Sequence, residues 1–435
     1  MKTLSISKIS TLFFLLIVVS VSAQKLSRAE KKIVKTIEVN NTEAIQFLKD
    51  VVNINSGTMN HEGVKKVGEV FGKAFEDIGF KSSWYDMSQV NRSGHLFAET
   101  SGGKGKKLLL IGHLDTVFEA DSPFQEFKMV NDSIAHAPGG NDMKGGNVIM
   151  LYALKALADN GLLDKAQIIA AFTGDEEASG KPIAISRKDL IDAAKRSDIA
   201  LGFETSTGFN YATVARRGSS GWKVEVTGKR AHSSGIFREN TGAGAIFEMS
   251  RILNGFYNEV RGEEYLTFNP GMILGGTQIS FEEELSKGSA FGKSNVVAQT
   301  AVVDGGLRFI SEAQKEKARA KMREIVNNNL PQTSAKITFI DSYPAMGPTK
   351  GNNDLLTILN QVSLDLKQGQ VEAYDPGKRG AADVSFVAKY VDCLDGLGTM
   401  GNRAHTPEET VNLNTIEALT KRTAILIYRL INAKD

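Results

Sequence analysis

Short apolar runs alternate with amphipathic stretches along the first half of the chain. Residues 107–112 (KLLLIG), 167–172 (QIIAAF) and 198–203 (DIALGF) are apolar runs of strand length, the pattern of parallel strands buried on both faces. Between them the spacing predicts helices over 144–160 and 182–196. Nearer the N-terminus Val64, Val67, Phe71, Phe75 and Ile78 recur at intervals of three and four, which builds one apolar stripe within a helical region of about residues 41–80. This alternation predicts an α/β fold, a doubly wound, mostly parallel sheet with helices on both faces.

Around Tyr211 the texture changes. Residues 222–227 (WKVEVT) alternate like a half-exposed strand, 242–257 read as a helix, two strand runs surround Gln278 and Val302, and a helix is expected over 312–327. Together they predict a smaller α+β domain inserted into the first. Residues 336–340 (KITFI) look like a return of the buried-strand texture, followed by helices over 353–366 and 414–431. The expected organisation is a leader at 1–23, a first catalytic part at 24–209, an inserted lid at 210–328 and a second catalytic part at 329–435.

Composition narrows the class. With 41% hydrophobic and 23% charged residues the chain is an ordinary globular protein rather than a disordered or many-span membrane one. A formal net charge of +2 gives no electrostatic footprint for nucleic acid. Lys2 and Lys8 precede an apolar run from Leu12 to Val21 and a small-residue site at Val21-Ser22-Ala23, which predicts a secretory signal peptide and an exported protein, periplasmic or secreted. The run is shorter than the ~20 residues of a membrane helix, so no stable membrane anchor is expected. Cys393 is the only cysteine, which excludes an internal disulfide.

The chemistry lies just past the end of each buried strand. The first ends in Gly112-His113-Leu114-Asp115, the second in Thr173-Gly174-Asp175-Glu176-Glu177 and the third in Glu204, while Gly139-Gly140-Asn141-Asp142-Met143-Lys144 precedes a helix. Strand carboxyl ends form the ligand crevice of an open α/β sheet, so these segments converge there. Taken singly, an Asp before a helix is a cap and a Glu-Glu pair is solvated. Crowded together, the carboxylates repel one another unless a cation offsets them. His113 and Asp115, two apart on an extended segment, point the same way, which lets the Asp115 carboxylate accept from the far ring nitrogen of His113. Glu176 and Glu177, being adjacent, are expected to diverge, one toward a metal and one toward a reacting water.

Other motifs fail. His61-Glu62 is no zincin start because Lys65 stands where the second His is needed, and Gly292-Lys293-Ser294 lacks the first glycine of a phosphate loop. Gly396-Leu397-Gly398-Thr399-Met400-Gly401 satisfies a dinucleotide pattern but has no βαβ unit after it, and reads as a turn.

In GHLDTV (112–117), GGNDMKGG (139–146), TGDEEASG (173–180), Glu204, GKRAHSSG (228–235) and the late His405, taken in this order, the chain resembles the co-catalytic zinc exopeptidase and amidohydrolase family of carboxypeptidase G, aminoacylase, acetylornithine deacetylase and bacterial di- and tripeptidases. The resemblance implies His113 and Glu204 on one metal, Glu177 and His405 on the other, and Asp142 bridging both. Asp115 would orient His113 and Glu176 would be the general base. It implies two zinc ions, other divalent metals being possible, and three ligand carboxylates with a bridging hydroxide balance their charge. It further implies that the inserted block is a lid and dimerisation domain of a homodimer. There His232, in relatives often that of the partner subunit, would reach the active site, with Asn295 and Arg308 where relatives hold the substrate carboxylate.

The expected activity is hydrolysis of an amide or peptide bond beside a free C-terminal carboxylate, on a small peptide or N-acyl amino acid. An N-acyl-amino-acid deacylase needs the same metals and stays open. So does a non-catalytic, metal-dependent peptide-binding protein, although a second acid beside Glu177 argues against it.

Overall fold

The computed structural model describes residues 25–282 and 285–433; the leader expected at 1–23 lies outside the described residues. Helix α1 (Arg28–Val52) opens on a reciprocal cap in which the Ser27 hydroxyl accepts from the Glu30 N–H and the Glu30 carboxylate accepts from the Ser27 N–H. The single helical region expected near 41–80 is two helices, α1 and α2 (His61–Asp77), separated by a loop that Gly57 and the Asn60 cap punctuate.

The larger sheet has six strands: β1 (Lys81–Asp86), β2 (Gly94–Glu99), β3 (Lys107–His113), β4 (Gln167–Thr173), β5 (Ile199–Gly202) and β12 (Asp392–Leu394). Their order is β1-β2-β4-β3-β5-β12. The central pairs β4/β3, β3/β5 and β5/β12 are parallel, and β1/β2 and β2/β4 are antiparallel. The apolar runs divide between two cores because side chains alternate along a strand. Leu108 and Leu110 of β3, with Ile168, Ala170 and Phe172 of β4, face the larger core, which holds side chains of α1, α2, α3 (Gly145–Asp159), α7 (Lys350–Asp365) and α8 (Ile416–Ile431). Leu109, Ile111, Ile169 and Ala171 face the other core, against Leu190 and Ala193 of α4 (Lys188–Lys195). Helices on both faces of a sheet parallel at its centre are the doubly wound α/β arrangement.

The smaller sheet is antiparallel, in the order β7-β10-β6-β11, from β6 (Gly218–Gly228), β7 (Thr267–Gly276), β10 (Thr300–Phe309) and β11 (Thr333–Asp341), with the hairpin β8 (Gln278–Glu282) and β9 (Lys287–Phe291) at its side. Trp222, Val224 and Val226 on one face of β6 pack on Met249, Ile252 and Phe256 of α5 (Gly244–Glu259) and on Met322 and Ile325 of α6 (Glu312–Asn327). The boundary expected at 328/329 is corrected here. The KITFI segment belongs to β11, which pairs along its whole length with β6, so the smaller sheet continues through Asp341. None of its residues is fully buried, for it is an edge strand and not a strand buried on both faces. Among the described residues no helix is long and apolar enough to cross a membrane.

Candidate metal centre and active site

The carboxyl ends of β3, β4 and β5 lie side by side, and each delivers an ionisable group to one crevice. His113 is the last residue of β3; its Nδ1–H donates to the Asp115 backbone carbonyl at 2.9 Å, since a carbonyl can only accept. That bond fixes the tautomer and leaves Nε2 free to ligate, 3.2 Å from Asp142 Oδ1 and 3.7 Å from Glu204 Oε1. The expected partner, the Asp115 carboxylate, is further away at 3.4 Å. It is occupied instead: Oδ1 accepts the Glu176 N–H at 3.0 Å, and Oδ2 accepts the Glu177 N–H at 3.1 Å and the Thr58 hydroxyl at 2.6 Å.

Both amides ending on one carboxylate turn the chain tightly after β4. The two glutamates therefore do not diverge as expected: one oxygen of each lies with a His113 ring nitrogen in a group whose members are all within 4.8 Å of one another. Asp142 stands between the histidines. Its Oδ1 faces His113 and its Oδ2 lies 3.0 Å from His405 Nε2, which in turn is 3.3 Å from Glu177 Oε2. Two further groups have metal-ligand geometry, His113 with Asp142 and Glu204, and Asp142 with Glu177 and His405. His405 is 54% exposed, so the centre opens to solvent on that side.

The electrostatics fit cations. Burial, with the neighbouring Asp142 charge, pushes Glu204 up to about 7. Burial together with Glu204 raises Glu176 well above the usual carboxylate range. Hydrogen bonds to Asp142 and Glu177 carry His405 up to about 11. The nearby guanidinium of Arg216 is committed to Asp395 through Nε, and Glu177 Oε1 is enclosed with no partner among the described residues. Two imidazoles and three carboxylates sharing one bridging acid are a donor set for two divalent ions.

The supports of these groups carry no local sequence signal. Glu409, buried and pushed up to about 8 chiefly by that burial, accepts the N–H groups of Asn141 and Asp142 on Oε1 at 2.8 and 3.1 Å. Gly139, at φ +65°, turns the chain into this segment, and a side chain on Gly146 would strike the Phe203 carbonyl oxygen at 2.1 Å, so α3 can sit close to β5 only with glycine there. Residues 396–400 form neither helix nor strand, and the Gly398 N–H donates to the Glu204 carbonyl at 2.9 Å. Behind the glutamate turn the fully buried Arg187 joins Asp175 and Asp383, its Nε 2.7 Å from Asp383 Oδ1.

A cavity of about 690 Å³ opens from the centre toward the inserted domain and is lined by Glu176, Glu177, Ser179, Arg308, Tyr343 and Gly380, among others. The Tyr343 hydroxyl donates to the Glu176 carbonyl at 2.8 Å. Burial and the neighbouring Arg217 lower the pKa of Arg308, the mark of a guanidinium without an acid to offset it. His232 and Asn295 are not in this cavity. Both are exposed and adjacent to each other on the inserted domain, where the Ser233 N–H donates to the Asn295 carbonyl at 2.9 Å.

Known proteins resemble this chain in sequence and in fold. Carboxypeptidase G2 of Pseudomonas sp. (strain RS-16) is 26% identical over 395 residues, covering 89% of each chain. A probable succinyl-diaminopimelate desuccinylase of Staphylococcus aureus (strain MRSA252) is 24% identical over 296 residues, covering 65% of this chain and 68% of its own. The crystal structure of aminopeptidase PepT from Bacillus cereus superposes with a TM-score of 0.72 at 17% identity, covering 90% of this chain and 99% of that one, a likeness of fold. The family profile of peptidase family M20/M25/M40 matches residues 109–429, which take in the whole ligand set from His113 to His405. The chain thus belongs to peptidase family M20/M25/M40 and is a metallopeptidase or amidohydrolase of that family.

Proposed function

We propose that the protein is an exported, zinc-dependent exopeptidase that hydrolyses the amide or peptide bond of a small peptide or N-acyl amino acid and releases its C-terminal amino acid. The observation that carries this reading is the placement of Glu176, an acid beyond the ligands, at the meeting point of the His113, Glu177 cluster and the cavity that Arg308 lines. His113 and Glu204 would hold one metal, Glu177 and His405 the other, with Asp142 shared. Bound there, two zinc ions supply Lewis-acid polarisation and bring the pKa of water toward ~7.

The chain's own groups do the rest. Glu176 takes the proton of the attacking water and hands it to the leaving nitrogen. Asp115, holding both glutamate amides, keeps Glu176 and Glu177 in register. Arg308 receives the substrate's terminal carboxylate on its guanidinium fork, which selects an exopeptidase substrate. His232 and Asn295, exposed side by side, are presented to a second copy of the chain, where His232 donates to the developing oxyanion. Exposed Phe237, Phe247, Ile273 and Phe291 on the same domain supply apolar surface for that homodimer. Export rests on Lys2, Lys8 and the apolar run before Ala23.

The desuccinylase relative supports a second reading, a deacylase using the same centre. Release of free amino acid from dipeptides, N-acyl amino acids and acyl-glutamate conjugates, measured with zinc and with chelator, tests both. Zinc-dependent release is expected, and the preferred leaving and acyl groups separate peptidase from deacylase; no release by the metal-loaded protein refutes both.

A further inference from the structure

The peptide between Glu176 and Glu177 is gripped at both ends. Its N–H, that of Glu177, donates to the Asp115 carboxylate at 3.1 Å, and its carbonyl, that of Glu176, accepts the Tyr343 hydroxyl at 2.8 Å. The first grip comes from the loop after β3, the second from the segment by which the chain returns from the smaller sheet after β11. That return segment is clasped to the outgoing one. Arg216 and Met346 exchange N–H···O bonds of 2.8 and 3.1 Å, and the Tyr343 carbonyl accepts the Ser219 N–H at 2.8 Å. A side chain on Gly218 would come within 2.7 Å of the Ala345 amide nitrogen, so the two segments cross this closely only with glycine there. The Tyr343 ring packs on Phe386 of the larger domain, with centroids 4.9 Å apart.

The proton of that hydroxyl has a fixed direction. Arg187 can only donate, and its Nη2 gives to Ser179 Oγ at 3.0 Å, while the Glu176 carbonyl can only accept. Between them the Ser179 and Tyr343 oxygens lie 2.6 Å apart, so the Ser179 proton points to the Tyr343 oxygen and the Tyr343 proton to Glu176. Arg187 is itself anchored by Asp175 and Asp383. The chain of donors thus starts at a buried ion cluster and ends on the main chain of the proposed general base, and each hydrogen bond in such a chain polarises the next.

We infer that Tyr343 is a positioning residue: from the hinge of the inserted domain it fixes the plane of the Glu176–Glu177 peptide and so aims the Glu176 carboxylate, without touching substrate or metal. The inference rests on the reading of Glu176 as general base and adds the group that holds it from the hinge. Asp115 alone would leave the peptide held at its N–H end and free to tilt at its carbonyl. A tilted peptide redirects the side chains on either side of it. The Glu177 carboxylate is restrained by His405, 3.3 Å away, so the misalignment falls on Glu176.

The test is Tyr343→Phe in the full zinc-loaded enzyme, which keeps the ring on Phe386 and removes only the proton donor. On one cleaved substrate kcat should fall ~10–100-fold, the usual cost of losing an outer partner of a catalytic centre, with KM and zinc content unchanged. In the Glu176→Gln background the same substitution should cost nothing further, since a residue that acts through Glu176 has nothing left to aim. A loss that multiplies in the double variant, a rise in KM in place of a fall in kcat, loss of zinc, or full activity in Tyr343→Phe overturns the inference. Hydrogen exchange of the Glu176 and Glu177 amides gives a readout apart from turnover. In Tyr343→Phe they should exchange roughly 2–10-fold faster, the net worth of one hydrogen bond, while the amides of β4 keep their rates. Unchanged exchange at both glutamates overturns the inference, and so does faster exchange spread along β4, which reports a loosened fold. If the unaltered enzyme cleaves no amide, the hydrolase reading fails, and exchange still decides whether Tyr343 holds the peptide.

Discussion

The carboxylate of Asp115 accepts the backbone N–H of Glu176 at 3.0 Å, so the proposed general base is positioned through its main chain. The same carboxylate holds the Glu177 amide and the Thr58 hydroxyl. Asp115→Asn keeps the shape but turns one acceptor into a donor that faces an N–H or a hydroxyl. Metal affinity and turnover should fall ~10–100-fold, in line with other groups that orient metal ligands. Metal content by elemental analysis and turnover on one substrate check this; unchanged values for both would contradict it.

Metal removal should loosen the fold. Asp142, Glu177 and Glu204 share one crevice with Glu176, and without cations they repel. Chelation is therefore expected to lower Tm, and zinc at 100 times its Kd to add about 2.7 kcal/mol for each ion bound, relative to the metal-free state. Scanning calorimetry across a zinc titration reads this directly, and a Tm indifferent to zinc speaks against a centre assembled from these residues.

Arg187→Met leaves Asp175 and Asp383 buried without their cation. Removing one partner of such a buried cluster costs about 3–5 kcal/mol, and denaturant unfolding should show a loss of that size. The double variant that also replaces Asp383 by Asn should recover part of it, because one stranded charge is gone.

At the far side of the larger domain Arg429 of α8 ties α1 to α7 through Glu30 and Asp365 at 2.7 Å each. Burial works against the charge of Glu30, yet the Ser27 N–H and the Arg429 guanidinium hold its pKa below the usual value. A group lowered on folding stabilises the protein above its unfolded pKa of about 4.3 and loses that contribution as pH falls through the folded value. Glu30→Gln should therefore be less stable than the unaltered protein at neutral pH and approach it in acid, as Tm measured against pH would record.

The parallel strands were legible because Leu108–Ile111 and Ile168–Phe172 are buried on both faces and leave an unbroken apolar run. The KITFI strand was misplaced for the converse reason: five residues of an edge strand, half exposed, imitate a buried one when its partner β6 is unknown. The break between α1 and α2 escaped a periodicity argument, although Gly57 and the capping residue Asn60 stand in the sequence there. His113, Asp142, Glu177 and Glu204 could be read as candidate ligands because each follows a strand or precedes a helix, whereas His405, in a turn, came only from the family resemblance. Glu409, Arg187 and Asp383 could not be read, since each acts through partners far off in sequence, as Glu409 does on Asn141, 268 residues away.

The central claim is that Glu176 moves the proton and does not hold the metal. Glu176→Gln tests it most directly, with zinc stoichiometry, substrate affinity and turnover measured on one preparation. The account predicts two zinc ions per chain, affinity close to that of the unaltered protein and turnover lower by ~10²–10⁴-fold, the range of a lost general base. Turnover that survives the substitution, or loss of a zinc ion along with activity, would contradict it.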